Sequence, residues 1–407
     1  MFDGQKHSTR HRIIVLGAGY TGAIAAGRLA RRVGPEDVRI TLVNAEPDFV
    51  ERVRMHQVAA GQDLKVRPLA DMLAGTGVEL RLAKVTAVDA DRKRVAVIDA
   101  DGGAELEYDT LVYALGSGWN DMGVPGTAEH AYEVASRPGA LKLRERLARM
   151  DAGQPVVVVG GGLTGIEAVT EIAEARPDLD VAIAVRGEFG DWLAPKARAH
   201  LRKVAAKLGI TVHEHAAVTA VAADAVATET GTIPAAATVW TTGFAVHPIA
   251  AATTMEVTDR GQIVVDRDMR SVSHPDVYAV GDAGYAIGDA GKPLRMSCAS
   301  GTPMAWQAAD TIAARLTGGK AGRAPLAYVQ QCISLGRKDG LVQFVTPDDQ
   351  AKNGYLGGRL AAVYKEFICK GAAWAVANPT LAVPVRRRHV TEAATANATG
   401  AAVEALA

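Results

Sequence analysis

Two glycine clusters carry the strongest chemical signal in the chain: GAGYTG at residues 17–22 and GGGLTG at residues 160–165. In a GxGxxG pattern the first glycine permits a tight turn from strand to helix. The second lets a pyrophosphate approach the backbone, and the third lets helix pack on strand. Gly17, Gly19 and Gly22 meet those demands, as do Gly160, Gly162 and Gly165. The helix that follows offers unpaired N–H groups and a partial positive charge to the phosphates, so no lysine is needed in the loop. One polypeptide is thus expected to hold two dinucleotides.

The elements that must position these loops repeat. The apolar run 12–16 precedes the first loop, an Ala-rich helical stretch reaches Arg32, and a second apolar run covers 38–43. VVVV at 156–159, a helix through about residue 175 and the run 181–185 give the same βαβ unit again. Each half closes on a similar phrase, YDTLVYALGS ending near Gly116 and ATVWTTGF around Gly243. A third phrase, VYAVGDAG, ends a buried-type strand at Gly281 and Asp282, and a helix is predicted over 303–316 with Pro303 in its first turn. Beyond residue 320 a strand at 340–345 and a Lys-bearing helix at 358–376 suggest a smaller module. The predicted partition is residues 11–120 with 245–320, then 121–244, then 321–385, and a mobile tail over 386–407.

About 20 residues past such a motif an acid normally meets the ribose hydroxyls. Here the first copy offers Asn44, with Glu46 two residues on; each can bind a ribose or simply cap a turn. The second copy ends its strand at Arg186, a cation suited to a 2′-phosphate or a solvated strand end. NADPH and NADH both stay open.

Composition narrows the partners. Lys plus Arg and Asp plus Glu each total 45, so no basic field exists to attract nucleic acid. With 48% hydrophobic residues and 42 glycines, the 407-residue chain fits a multidomain α/β protein. No apolar run is long enough to span a bilayer and the N-terminal residues lack a secretory core, which gives a cytoplasmic expectation. Cys298, Cys332 and Cys369 are odd in number and far apart, so neither a disulfide framework nor a metal site is expected.

Taken together, GAGYTG, YDTLVYALGS, GGGLTGIE, ATVWTTGF and VYAVGDAG resemble the FAD-dependent pyridine nucleotide oxidoreductases, in their type II NADH dehydrogenase-like branch, over about residues 12–345. The resemblance implies an α/β fold of two Rossmann-like, glutathione reductase-type domains with a small C-terminal α+β module. It implies FAD on Gly17, Gly19 and Gly22, and NADPH or NADH on Gly160, Gly162 and Gly165. Gly116, Gly243 and Gly281 would close strands beside the cofactors, and Asp282 would hold the ribityl chain. Glu167 matches the family acid near the nicotinamide side of the flavin. Arg52, Arg54 and His56 would touch the flavin phosphate or ring, or else cover a helix face with His56 packed and neutral. The segment 296–310 resembles the helix whose N-terminus faces the flavin. The respiratory members' glutamine-rich quinone pattern is reduced there to Met304, Trp306 and Gln307; Gln307 is the candidate acceptor-side residue. Residues 44–60 contain no cysteine, unlike the disulfide reductases.

The implied reaction passes a hydride from NAD(P)H to flavin N5 and then electrons to a small organic acceptor or oxygen. A membrane-associated NADH:quinone dehydrogenase and a flavin-bearing sensor without turnover are the alternatives. In the segment 358–379, Leu360, Val363, Phe367 and Trp374 recur at helical spacing with Lys365 and Lys370 between. Packing on the protein or in a homodimer is expected of this face, with weak peripheral membrane association left open.

Overall fold

Residues 10–381 and 387–391 are described by a computed structural model. The repeat seen in the sequence is a repeat of whole sheets. The first sheet is parallel with its centre at β1 (His11–Leu16), flanked on one side by β2 (Val38–Asn44) and then Val78–Leu82, and on the other by Thr110–Tyr113 and then Val277–Ala279. The second is centred on β3 (Pro155–Val159), with β4 (Asp180–Ala184) and Thr211–His213 to one side, and Ala237–Trp240 and Ala131–Glu133 to the other. The two match strand for strand. Strand order reverses at β1 and at β3, and the crevice at the carboxyl ends of strands beside such a switch point is where open α/β sheets take ligands.

Each sheet carries a three-stranded antiparallel meander, built from residues 84–107 in the first unit and 218–234 in the second. The helices α1 (Tyr20–Ala30) and α2 (Leu163–Ala175) follow the glycine loops and are almost wholly buried on their sheets. Apolar strand residues such as Ile13, Val15 and Leu16 in one unit and Val156 and Val158 in the other are sealed into separate cores. The chain crosses between the units twice, and the two crossings, Ser117–Trp119 and Phe244–Val246, pair antiparallel with each other.

Two expectations are corrected. The helix predicted from Pro303 is α3 (Cys298–Thr317), which starts earlier because Ser297 caps it by accepting from the Ser300 amide. Pro303 therefore sits inside the helix, where it forfeits one backbone hydrogen bond. Within the expected tail, residues 387–391 are held against the first unit: Arg388 bridges to Val33, and the Thr391 amide donates to the Leu316 carbonyl. The rest of that segment lies outside the described residues.

The C-terminal module is an antiparallel sheet of Gln330–Ser334, Gly340–Val345 and Ala351–Gly357, with α4 (Arg359–Ala377) against it. The sequence left the large apolar residues of α4 to pack on the protein or in a homodimer. Within the chain it is the small ones that pack. Ala361, Cys369, Ala373 and Val376 are buried, while Leu360, Val363, Phe367 and Trp374 are 53–72% exposed. Small side chains let the helix lie close on the sheet, which leaves the bulky stripe facing out.

Candidate functional site

The two glycine loops meet the same steric demands in the same order. Gly17 and Gly160 take φ of +93° and +119°, which favour glycine. A Cβ on Gly22 or Gly165 would lie 1.8 Å from the carbonyl oxygen of Gly17 or Gly160, so the third glycine of each loop permits helix and turn to touch. The middle glycines differ. Around a Cβ built on Gly19 or Gly162 there is no atom within 4 Å. Each cradle is thus closed at its first and third glycine and open at its second, and neither helix N-terminus is capped by a side chain. That is the shape a pyrophosphate needs, and the residues present fit FAD in one loop and a nicotinamide dinucleotide in the other.

Around the first loop the chain brings distant residues together. Ser117 donates to the Asp282 carboxylate at 2.6 Å, and Arg52 donates to Ser117 at 3.1 Å while lying 3.7 Å from Asp282. Burial lowers the Arg52 pKa despite the attraction of Asp282. Gly116 takes φ of +70°, and its nearest outside neighbour is Arg52. Thr21 of the loop wedges against Gly281, and a Cβ on Gly301 of α3 would come within 2.5 Å of it. The α3 N-terminus, the first cradle and Asp282 therefore form one locus. Cys298 is open to solvent there, yet ringed closely enough that desolvation pushes its thiol up.

Several sequence candidates have other work. Asn44 accepts from the Ala18 amide at 2.9 Å and donates to the Glu46 carbonyl at 2.7 Å, which ties the end of β2 to the glycine loop. Glu46 itself is exposed. Arg54 is buried with its guanidinium on Glu366 at 2.7 Å and on Gln57 at 2.9 Å, a strut to α4. Gln307 has both ends of its amide engaged, donating to Asp268 at 3.1 Å and accepting from the Ala324 amide at 2.9 Å. Nothing leaves it free to reach an acceptor. In the second unit Arg186 is exposed just beyond β4, with no hydrogen bond or ion pair among the described residues. Gly243 takes φ of +76° where the chain returns to the first unit.

Glu167 stands in the most distinctive electrostatic setting. Its carboxylate lies 2.9 Å from the Lys365 ammonium of α4 and accepts from the Ser334 amide at 3.0 Å and the Ser334 hydroxyl at 3.2 Å. Lys365 also donates to the Cys332 carbonyl at 3.0 Å, and Ser334 lies 3.3 Å from His56. Burial alone would raise the Glu167 carboxyl, but Lys365, His56 and the Ser334 amide together hold it below its ordinary value. Burial would lower the Lys365 ammonium, and Glu167 more than reverses that. For His56 burial wins, bringing it to about 4, so the imidazole is neutral at physiological pH.

Ser334 and Ser117 were not singled out by sequence reasoning, and Lys365 entered only as a charge between the apolar residues of its helix. The available signal for Lys365 was its register: it lies four residues from both Ala361 and Cys369, on the small-residue face that packs.

Residues 11–313 match the family described as pyridine nucleotide-disulphide oxidoreductase. An NADH dehydrogenase-like protein of Mycobacterium tuberculosis is 32% identical over 322 residues, covering 72% of this chain and 78% of that protein. The chain belongs to this family, in its NADH dehydrogenase-like branch. A type II NADH:quinone oxidoreductase of Staphylococcus epidermidis is 27% identical over 88% of this chain and 94% of its own length. Among solved structures, the sulfide:quinone oxidoreductase of Aquifex aeolicus superposes with a TM-score of 0.78 over 91% of this chain and 92% of that one, at 21% identity. The fold is that of a two-domain dinucleotide-binding oxidoreductase, and the chain is an enzyme of that class.

Proposed function

We propose that this protein is an FAD-dependent oxidoreductase that takes hydride from NAD(P)H and delivers electrons to a small quinone-type acceptor or to oxygen. The observation that carries the reading is the pair of cradles, each open only at its middle glycine. When bound, FAD supplies two-electron redox chemistry between a hydride donor and an acceptor. The protein's part is to bind, orient and handle the proton. Residues 11–120 with 245–320 form the FAD unit, 121–244 the NAD(P)H unit and 321–385 the C-terminal interface module. Gly17, Gly19 and Gly22 take the flavin pyrophosphate and Asp282, oriented by Ser117 and Arg52, the ribityl hydroxyls. Gly160, Gly162 and Gly165 take the nicotinamide dinucleotide, with Arg186 placed to meet a 2′-phosphate. Of the two arginines expected on the flavin side, Arg52 takes that role, and Gln307 is left out of the catalytic set.

Glu167 and Lys365 stand across the junction of the NAD(P)H unit and the C-terminal module. In our reading the Lys365 Nζ presents a proton to the acceptor oxygen, and Glu167 keeps that nitrogen charged and aimed. Purified protein carrying FAD, mixed anaerobically with NADH or NADPH, tests the reading: bleaching of the flavin supports it, and a flavin that stays oxidised with both rejects it.

A specific observation favours the membrane-associated variant. No helix among the described residues is long and apolar enough to cross a membrane. Yet α4 presents Leu360, Val363, Phe367 and Trp374 to solvent, and Leu381 beyond it is 65% exposed. Such a stripe suits docking on a bilayer from which a quinone is drawn, with the NAD(P)H unit in the cytoplasm. Co-flotation with vesicles supports this reading, and a stripe covered by a second copy appears as a dimer in sedimentation instead.

A further inference from the structure

One turn along α2 from Glu167 lies a second carboxylate that none of the roles above uses. Glu171 is 2% exposed. One of its oxygens accepts from the Gln62 amide, while the other is buried with no hydrogen-bond partner. A carboxylate so placed has lost water at one oxygen with nothing in return, a costly state for a charge and a tolerable one for a neutral acid. Gln62 is partly open to solvent, and Arg337, whose amide donates to Glu174, is exposed on the same side. Glu171 therefore stands between a solvent-facing margin and the buried Glu167–Lys365 pair.

We propose that Glu171 is the proton relay that refills the Glu167–Lys365 pair from solvent during reduction of the acceptor. The proposal rests on the quinone-type reading of the acceptor. A quinone becomes a quinol by gaining two electrons and two protons. A hydride brings both electrons and one proton, so each turnover draws one proton from solvent. When Lys365 gives its Nζ proton to the acceptor oxygen, the Glu171 O–H breaks and its proton passes by way of Glu167 to the amine. The Glu171 carboxylate then takes a proton from solvent at the Gln62 margin.

The charged groups acting on Glu171 are Arg337, which favours ionisation, and Glu174 and Glu167, which oppose it. Burial outweighs them and pushes the carboxyl up to about 7, so at neutral pH it exchanges protons readily. The same carboxyl at its ordinary value would be ionised and empty. The i, i+4 spacing puts it on the face of α2 that carries Glu167.

The test compares wild type, Glu171→Gln and Glu171→Asp in steady-state turnover of NADH with a short-chain benzoquinone and with ferricyanide, from pH 6 to 9. Ferricyanide takes electrons and no proton. The expected result is a quinone-to-ferricyanide rate ratio lowered about tenfold or more in Glu171→Gln, the modest end of what acid–base groups contribute. Its quinone rate loses the inflection near pH 7, and Asp restores part of both. A ratio that does not change, or rates that fall together with the wild-type pH profile retained, overturns the relay. If Gln impairs folding, Asp alone decides: it keeps an inflection, displaced in pH, or the proposal fails. A wild type that reduces ferricyanide but no quinone overturns the acceptor reading instead, and a wild type inert to NADH and NADPH overturns the function itself.

Discussion

Replacing Lys365 by Met removes the cation paired with Glu167, a carboxylate that the fold has sealed in. Glu167 is 7% exposed, and the Lys365 side chain is 15% exposed. Deleting one partner of a buried pair typically costs about 3–5 kcal/mol, because the remaining charge keeps its desolvation penalty and loses its compensation. The Ser334 amide and hydroxyl still reach Glu167, which places the expected loss near the lower end, about 3 kcal/mol. The sign with pH follows from the direction of the shift. The Glu167 carboxyl is held below its ordinary value in the folded wild type, so the pair's stabilisation is full above that ordinary value and is lost as pH falls through the folded one. In K365M the holding cation is gone, burial raises the carboxyl, and the deficit shrinks as acid neutralises it. The assay is denaturant unfolding of FAD-loaded wild type, K365M, E167Q and the double variant at pH 8 and pH 5. The double variant is expected to regain most of the loss, giving a coupling of about 2 kcal/mol or more between the two sites. Additive single effects, or a K365M deficit that is the same at both pH values, would refute the buried pair.

Four further outcomes follow from the geometry. Gly19→Ala folds like wild type, since its Cβ meets open space, but loses flavin affinity by about ten- to a hundredfold, the equivalent of one charge-assisted hydrogen bond; Gly22→Ala, whose Cβ strikes the Gly17 carbonyl, fails to fold, and fluorescence titration with FAD separates the two. Arg186→Glu shifts the ratio of kcat/KM for NADPH over NADH toward NADH by about tenfold, and an unchanged ratio rejects the 2′-phosphate role. Glu171→Gln is more stable than wild type above pH 7 by at most about 3 kcal/mol, because a folded carboxyl raised to about 7 costs stability as pH climbs from its ordinary value to that one; equal stability at pH 5 and pH 8 contradicts the burial argument. Phe367→Ser with Trp374→Ser lowers co-sedimentation with vesicles at unchanged thermal stability, since both side chains are exposed.

What was legible in the sequence was whatever the backbone dictates. A loop that must turn at φ near +90° and let a helix touch its own carbonyl has almost one solution, so the glycines identify it without knowledge of the rest of the fold. Strands β1 to β4 were legible for a related reason, as apolar runs bounded by those loops. Side-chain roles were harder because they depend on partners far away in sequence. Arg54 reads as a free cation until Glu366 arrives from α4, and Asn44 reads as a ribose ligand until the Ala18 amide occupies it. Lys365 read only as a charge between apolar residues, since charge is ordinarily outside. It is the reach of Glu167 from α2 that makes its burial tolerable. On α4 the bulky residues suited packing on the protein or against a second copy, and size alone did not show that close packing within the chain uses Ala361, Cys369 and Ala373. The start of α3 was missed because Pro303 marks a favoured first turn, while the actual signal was Ser297 six residues before the expected boundary, capping the helix.

The most direct measurement of the two-cradle account is the absorbance of the purified protein between about 350 and 500 nm, where flavins absorb, followed through an anaerobic titration with NADH and with NADPH. The account predicts one flavin per chain and full bleaching by a stoichiometric amount of at least one of the two nucleotides. A protein that takes up no FAD, or whose bound FAD neither nucleotide reduces, contradicts it.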